Sequence, residues 1–283
     1  MTTRELIAKS CDLPPVSPAA IQLMNLLGQQ EIGNDEVVRV LKCDSVMTAK
    51  LLRLCNSPGA RPAEPVTSVD QAVLLLGYQQ LLHMVLSLAL GKTMTAPLAG
   101  YGVESAELWR HSVVTATAAE IVASNGLDWS LDPAVAFTAG LLHDIGKVVL
   151  NLALSPELQL RVRSRIESGS CSRAEAEREV LGVDHAQTGA ALLESWNVPA
   201  ELVEAVANHH QPVLTPRPRL SAVTHLANCL AHLVGSAPGW EGYAMRVDEQ
   251  VIKTLGLTAE NLQGLIIAVQ EAFQGIEEFI AFS

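Results

Sequence analysis

The chain is 283 residues long with a mass of 30.2 kDa; 49% of its residues are hydrophobic and only 17% charged. That apolar share, with a mean hydropathy of +0.25, excludes a mainly disordered chain and can fill one large core or two modest ones. Nineteen basic against thirty acidic residues leave a net charge of −11 and a pI near 5.2, which excludes nucleic-acid or anionic-lipid binding driven by overall charge.

The first segment, MTTRELIAKSCDLPP, has no apolar run of the kind a signal peptide needs. Apolar residues then recur at three- and four-residue steps, as in Ile21, Met24, Leu27, then Val37, Val38, Leu41, then Val46, Ala49, Leu52, which predicts helices. Ser68 before Val69-Asp70-Gln71 is a cap signal, and Gly77 a stop. The greasiest window, residues 72–91, is interrupted by Gln79, Gln80 and His83. It falls short of a membrane span and is read as two buried helices meeting near Gly77, with His83 in the core. Loops are predicted at Pro14-Pro15, Pro58 to Pro65, Ala96 to Gly102 and Val213 to Arg219.

Downstream, the pattern predicts helices at 103–125, 132–154, 156–168, 172–181, 184–196, 199–210, 218–235 and 258–273. Ser155-Pro156-Glu157 is the clearest start signal, with proline at the first helical position. No segment alternates in the manner of a strand, and no repeat is visible. The expected fold is all-α, in two packed helical parts divided at APLAGYG. Cysteines 11, 43, 55, 171 and 229 form no CxxC pair and are read as reduced thiols of a soluble, cytoplasmic protein, with Cys43 and Cys55 as small core residues.

Most of the eight histidines fall in an order that suggests metal chemistry. Glu107 and His111 lie four apart, on one face of a helix. His143-Asp144 closes the apolar string AFTAGLLHDIGK, with Lys147 one turn on. His185, the pair His209-His210, and the string His225-Leu226-Ala227-Asn228 follow. Imidazole nitrogens and carboxylate oxygens are the ligands Fe, Mn, Ni and Zn take, and a pair of such ions can clamp a phosphate and activate water. Each residue also has a plain structural account. Lys147 would be the salt-bridge partner of Asp144, Glu107 a solvated residue at a helix start, and His185 a helix-start residue. His209-His210 would close a helix, and His225, Asn228 and His232 would form a buried polar network.

The strings LWRHSV, GLLHDIGK, VLGVDHAQTGAALLESW and VANHHQP resemble the HD superfamily of metal-dependent phosphohydrolases. LPPVSPAAIQLMNLL, CDSVMTAKLLRLCNSP and PVTSVDQAVLLLGYQQL are similar to the N-terminal signature of its HDOD branch, the HD-related output domains of bacterial signalling proteins. The resemblance covers roughly residues 13–236. It implies an N-terminal HDOD part over 1–97 and an HD-like helical bundle over 103–283. It also implies metal ligands at His111, His143 and Asp144, extended by Glu107, His185, His209 and His210 in the two-metal branch. The family's closing aspartate falls on Asn228, a neutral and weaker donor for a hard cation. The loop after the histidine pair, HHQPVLTPRPRL, lacks the acidic residue and GYP string of the cyclic-dinucleotide-cleaving branch.

The resemblance therefore implies a signal-transduction output module that acts on a protein partner and carries a partly degenerate pocket for one or two divalent ions (Fe, Mn, Ni or Zn), or none, or for a nucleotide. The alternative is a metal-dependent phosphohydrolase or phosphodiesterase, in which Asp144 and Lys147 would be catalytic. A nucleic-acid regulator reading through Arg161, Arg163 and Arg165 is opposed by the acidic chain, and no membrane partner is expected.

Overall fold

The computed structural model describes residue 6 and residues 18–26, 34–56, 65–125, 131–168, 171–212, 220–239 and 247–281. Pro14-Pro15, Leu27, Pro58 to Glu64, Val213 to Arg219 and Cys11 lie outside them. Among the described residues every regular element is a helix, and the one β-type pairing is an isolated bridge between Leu98 and Val103. The chain divides into two compact units, residues 15–92 and residues 1–14 with 93–283.

The smaller unit holds α1 (Pro18–Leu26), α2 (Asn34–Lys42), α3 (Ser45–Cys55), α4 (Val69–Leu76) and most of α5 (Tyr78–Met94). Leu23, Met24, Val37, Leu41, Leu51, Cys55, Val69 and Ala72 are buried, one apolar stripe per helix. Ser68 caps α4 by accepting the Gln71 N–H, and Gly77 ends it at φ +74°. The break near Gly77 falls where the sequence put it. Burial of both helices does not hold, because Leu74 is 87% and Leu75 46% exposed. Cys43 is likewise exposed rather than core: it sits in the turn after α2, where its backbone N–H closes on Arg39 and Val40. His83 is buried, and burial pushes its imidazole down to about 4, as a core residue requires.

The larger unit is built around α6 (Glu107–Ser124) and α7 (Pro133–Leu142), its most extensive helix pair. Every residue of α7 from Ala134 to Leu142 is buried, so this helix is apolar on all sides. Gly140 lets it approach α6 closely, since a β-carbon there would stand 2.7 Å from the Ala116 Cα. Helix α8 (Ile145–Ala153) packs on α11 (His185–Ser195), which packs on α12 (Ala200–Ala207). Helix α13 (Leu220–Leu233) and the long α15 (Ala259–Ala281) lie against α6, while α9 (Pro156–Glu167) and α10 (Arg173–Leu181) pair with each other. The caps are side-chain oxygens where the sequence offers them: Asp132, Ser155, a reciprocal Ser172–Glu175 box and Asp184.

Two departures from the predicted elements matter. The helix expected over 132–154 is two helices, broken at His143-Asp144. Asp144 sits at φ −103°, ψ 8°, a sparsely populated bridge conformation common at functional residues. A short α14 (Glu249–Thr254), capped by Asp248, was not expected at all. The stretch Pro133–Ala153 has the length and hydropathy of a membrane span, but 89% of its apolar window is buried within the chain, as in a core helix.

Candidate metal centre

The break between α7 and α8 turns Asp144 into the middle of the larger unit, where its carboxylate is 1% exposed. Its Oδ2 lies 2.8 Å from Lys147 Nζ, 3.2 Å from His143 Nε2 and 3.7 Å from His111 Nε2. Its Oδ1 lies 3.4 Å from His185 Nε2 and 3.8 Å from His209 Nε2. His210 joins the second set through a 2.7 Å contact between its Nε2 and that of His185. One carboxylate thus faces two groups of potential ligands, His111–His143–Asp144 and His185–His209–His210. Within each, one donor atom per residue lies within 4.8 Å of the others.

The far side of each ring shows which nitrogen is available. His111 Nδ1 is 2.5 Å from the Ser236 carbonyl, His143 Nδ1 2.7 Å from that of Gly140, and His209 Nδ1 2.8 Å from that of Val206. A carbonyl only accepts, so Nδ1 carries the hydrogen in each ring. Burial holds His111 and His209 well below the usual imidazole range, so both are neutral and their Nε2 atoms are bare lone pairs. Those nitrogens are buried without a hydrogen-bond partner and are turned on an anionic carboxylate. Asp144 stays ionised because His143 and Lys147 outweigh its desolvation. Lone pairs facing a carboxylate repel unless a cation lies among them, so the donor set fits a divalent ion.

His185 is held differently. Its Nδ1 meets Glu177 Oε2 at 2.6 Å, and the same oxygen accepts the His185 backbone N–H at 2.8 Å. Desolvation works against the charged ring, but the Glu177 carboxylate outweighs it and raises the His185 pKa above its ordinary value. Glu177 accepts the Tyr101 hydroxyl on its other oxygen at 2.8 Å, and the Arg173 guanidinium stacks 4.4 Å from the Tyr101 ring.

The structure does not bring every candidate to the carboxylate. Glu107 opens α6 half-buried, and its Oε2 accepts the Glu104 N–H at 2.7 Å, outside both groups. Asn228 is buried, and its Oδ1 has no hydrogen-bond partner. It lies one turn before His232, whose ring centroid is 5.0 Å from that of His111. His225 stands behind His209, its Nδ1 2.8 Å from the His209 carbonyl. Cys229, 3.8 Å from the His225 ring, is a buried thiol pushed up to about 12 and so unreactive. Arg163 and Arg165 are paired with Glu167 and Glu179, so they do not form an open basic stripe. Glu177, Tyr101, Arg173 and Ser236 carried no signal in the sequence, because their roles come from tertiary placement rather than spacing.

The neutral imidazoles make acid sensitivity an expected property. In the unfolded chain each titrates near 6.5, while His111 and His209 resist protonation in the fold. Below about pH 6.5 the unfolded state therefore binds more protons, and each such ring costs up to about 1.4 kcal/mol of stability per pH unit. His185, shifted upward, opposes this in part; Asp144 and Glu177, shifted downward, add a further loss below about pH 4. The Tm of chelator-treated protein should be level from pH 8 to about pH 7 and then fall from about pH 6.5 to pH 5. A constant Tm over that interval would mean these rings are not buried in neutral form.

Comparison with known proteins agrees with this architecture. The family model for the HDOD domain matches residues 13–212. A crystal structure from Marinobacter aquaeolei VT8, provisionally named a signal transduction protein, is 26% identical with a TM-score of 0.78, over 95% of this chain and 59% of that one. A second, from Shewanella amazonensis SB2B and provisionally named a phosphohydrolase, is 25% identical with a TM-score of 0.70 over 96% of both chains. An uncharacterised protein of Treponema pallidum is 23% identical over 270 residues, which are 92% of this chain; the chain spans about half, 51%, of that relative's length.

Proposed function

The chain belongs to the HDOD family, and from that premise we propose that it is a regulatory output module of bacterial signal transduction. It acts in the cytoplasm by binding a signalling protein. Residues 1–97 form its HDOD-type part and residues 103–283 its HD-like part. The HD-type pocket, built by His111, His143, Asp144, His185, His209 and His210, holds one divalent cation as purified and takes a second only weakly, in excess metal. The observation that carries this reading is the set of bare, buried imidazole nitrogens converging on Asp144.

Charge favours one ion over two. Asp144 and Glu177 are the carboxylates of the site, and Lys147 and Arg173 offset them nearly one for one. A second dication would bury still more uncompensated charge, and Asn228 supplies none where an acid would. The Marinobacter relative supports the signalling assignment.

The second reading, a nucleotide phosphohydrolase, has the Shewanella relative and one geometric feature behind it: Lys147 lies buried beside the carboxylate that both ligand groups share. Bound divalent ions would supply Lewis acidity there, Lys147 would orient a phosphoryl oxygen, and Asp144 would hold the two groups in register.

Metal per chain, in untagged protein purified without chelators, separates these readings. One equivalent is expected. Asn228→Asp should raise it toward two and tighten binding of added Mn2+ by about 10-fold or more. Two equivalents in the wild type, with nucleotide turnover that His143→Ala abolishes, would favour the hydrolase. No uptake even after reloading would overturn the cation site.

A further inference from the structure

The two ligand groups around Asp144 are supported by different chemistry. His111 and His143 rest on backbone carbonyls, which are neutral acceptors. His185 rests on Glu177, a carboxylate that is itself 1% exposed. Three bonds fix that carboxylate. Its Oε2 takes both the backbone N–H and the Nδ1 of His185, and its Oε1 takes the Tyr101 hydroxyl. Tyr101 is in turn covered by the Arg173 guanidinium. Glu177 and His185 lie on successive helices, α10 and α11, so the bond also fixes the ring against rotation at the start of α11. With Nδ1 committed to Glu177, only Nε2 can face Asp144 Oδ1 and His210.

We propose that Glu177 is the positioning residue of the three-histidine group: it holds His185 in the Nδ1–H form with Nε2 presented to the pocket, and makes this group the tighter cation site of the two. The proposal rests on the cation reading above. A carboxylate hydrogen-bonded to the far nitrogen orients a ligating imidazole and makes it a stronger donor, and removing such a partner typically weakens metal binding about 10–100-fold. Among the described residues no carboxylate backs His111 or His143 in this way, so the same substitution leaves their group unchanged.

Glu177→Gln tests this with little change of shape. The amide oxygen can still accept from His185 while the negative charge is lost. Metal-free full-length protein would be titrated with Co2+, following its visible absorption bands and heat of binding. The tighter site should weaken by about 10–100-fold in Glu177→Gln, with altered bands, and less in Tyr101→Phe. The weaker site, identified as the one that His111→Ala removes, should be unmoved by Glu177→Gln. A fault in packing alone would weaken both sites together, so equal loss at both overturns the proposal, as does Glu177→Gln binding within twofold of wild type. Imidazole 15N NMR on metal-free protein gives an independent arm. The His185 ring should be protonated at Nδ1 in wild type and lose that preference in Glu177→Leu; a ring that keeps it overturns the positioning role. If wild type takes up no Co2+ at all, the cation reading fails and the tighter-site claim with it. Uptake that Glu177→Gln leaves intact overturns the role of Glu177 alone.

Discussion

Asp144→Asn is expected to empty the pocket of metal and to destabilise the metal-free fold by about 3–5 kcal/mol, the usual cost of stripping one partner from a buried ion pair. Both effects follow from one carboxylate with two duties. Oδ1 and Oδ2 face separate ligand groups, so an amide leaves each with neutral donors only. Lys147, 2% exposed and 2.8 Å away, then keeps a buried ammonium without its counter-charge. Asp144→Asn/Lys147→Met should regain much of the stability while binding no metal, and Lys147→Met alone should still bind. Urea unfolding of the four proteins measures the coupling directly. A coupling energy near zero would show that the pair contributes nothing to the fold.

Gly146→Ala should be nearly as damaging, although it adds a single methyl group. A β-carbon at Gly146 would stand 1.9 Å from the His185 carbonyl oxygen and 2.6 Å from the Gly189 N. Both are backbone atoms of α11, so no side chain can swing aside, and helices α8 and α11 must separate. Overpacking of a well-filled interior costs about 1–3 kcal/mol and more where backbone must move, so we expect at least about 3 kcal/mol. The displacement falls on His185 itself, which carries the three-histidine group away from Asp144, so metal content should fall with stability. Wild-type metal content in a folded Gly146→Ala protein would show that α11 has room to shift without disturbing the pocket.

The helical class and most helix positions were legible in the sequence, because apolar residues recur at helical steps and start signals such as Ser68 and Ser155 are written in residue type. The break at His143-Asp144 was not. Apolar periodicity runs through AFTAGLLHDIGKVVL without a proline, and the turn is stabilised by what the pair faces in three dimensions. Of the candidate residues, the histidines and Asp144 stood out because few other side chains bind metals. Glu107 stood out for its spacing from His111, yet its carboxylate is engaged by the Glu104 N–H at the start of α6. Glu177 had no such spacing, eight residues before His185 in a helix rich in charged residues, and only packing shows it buried.

The supports of the pocket also bear on how the protein can be dissected. The HDOD match ends at residue 212, which makes that position a tempting place to cut. Yet the Ser236 carbonyl holds His111, His232 packs on the same ring, and His225 links the His209 carbonyl to the Asp248 N–H at the head of α14. A fragment ending at the family boundary would keep all six histidine and aspartate ligands while losing the carbonyl that aims His111 and the side chain that holds the His209 backbone. Fragments intended to report on this centre should therefore run through residue 248 and the α14 turn it caps.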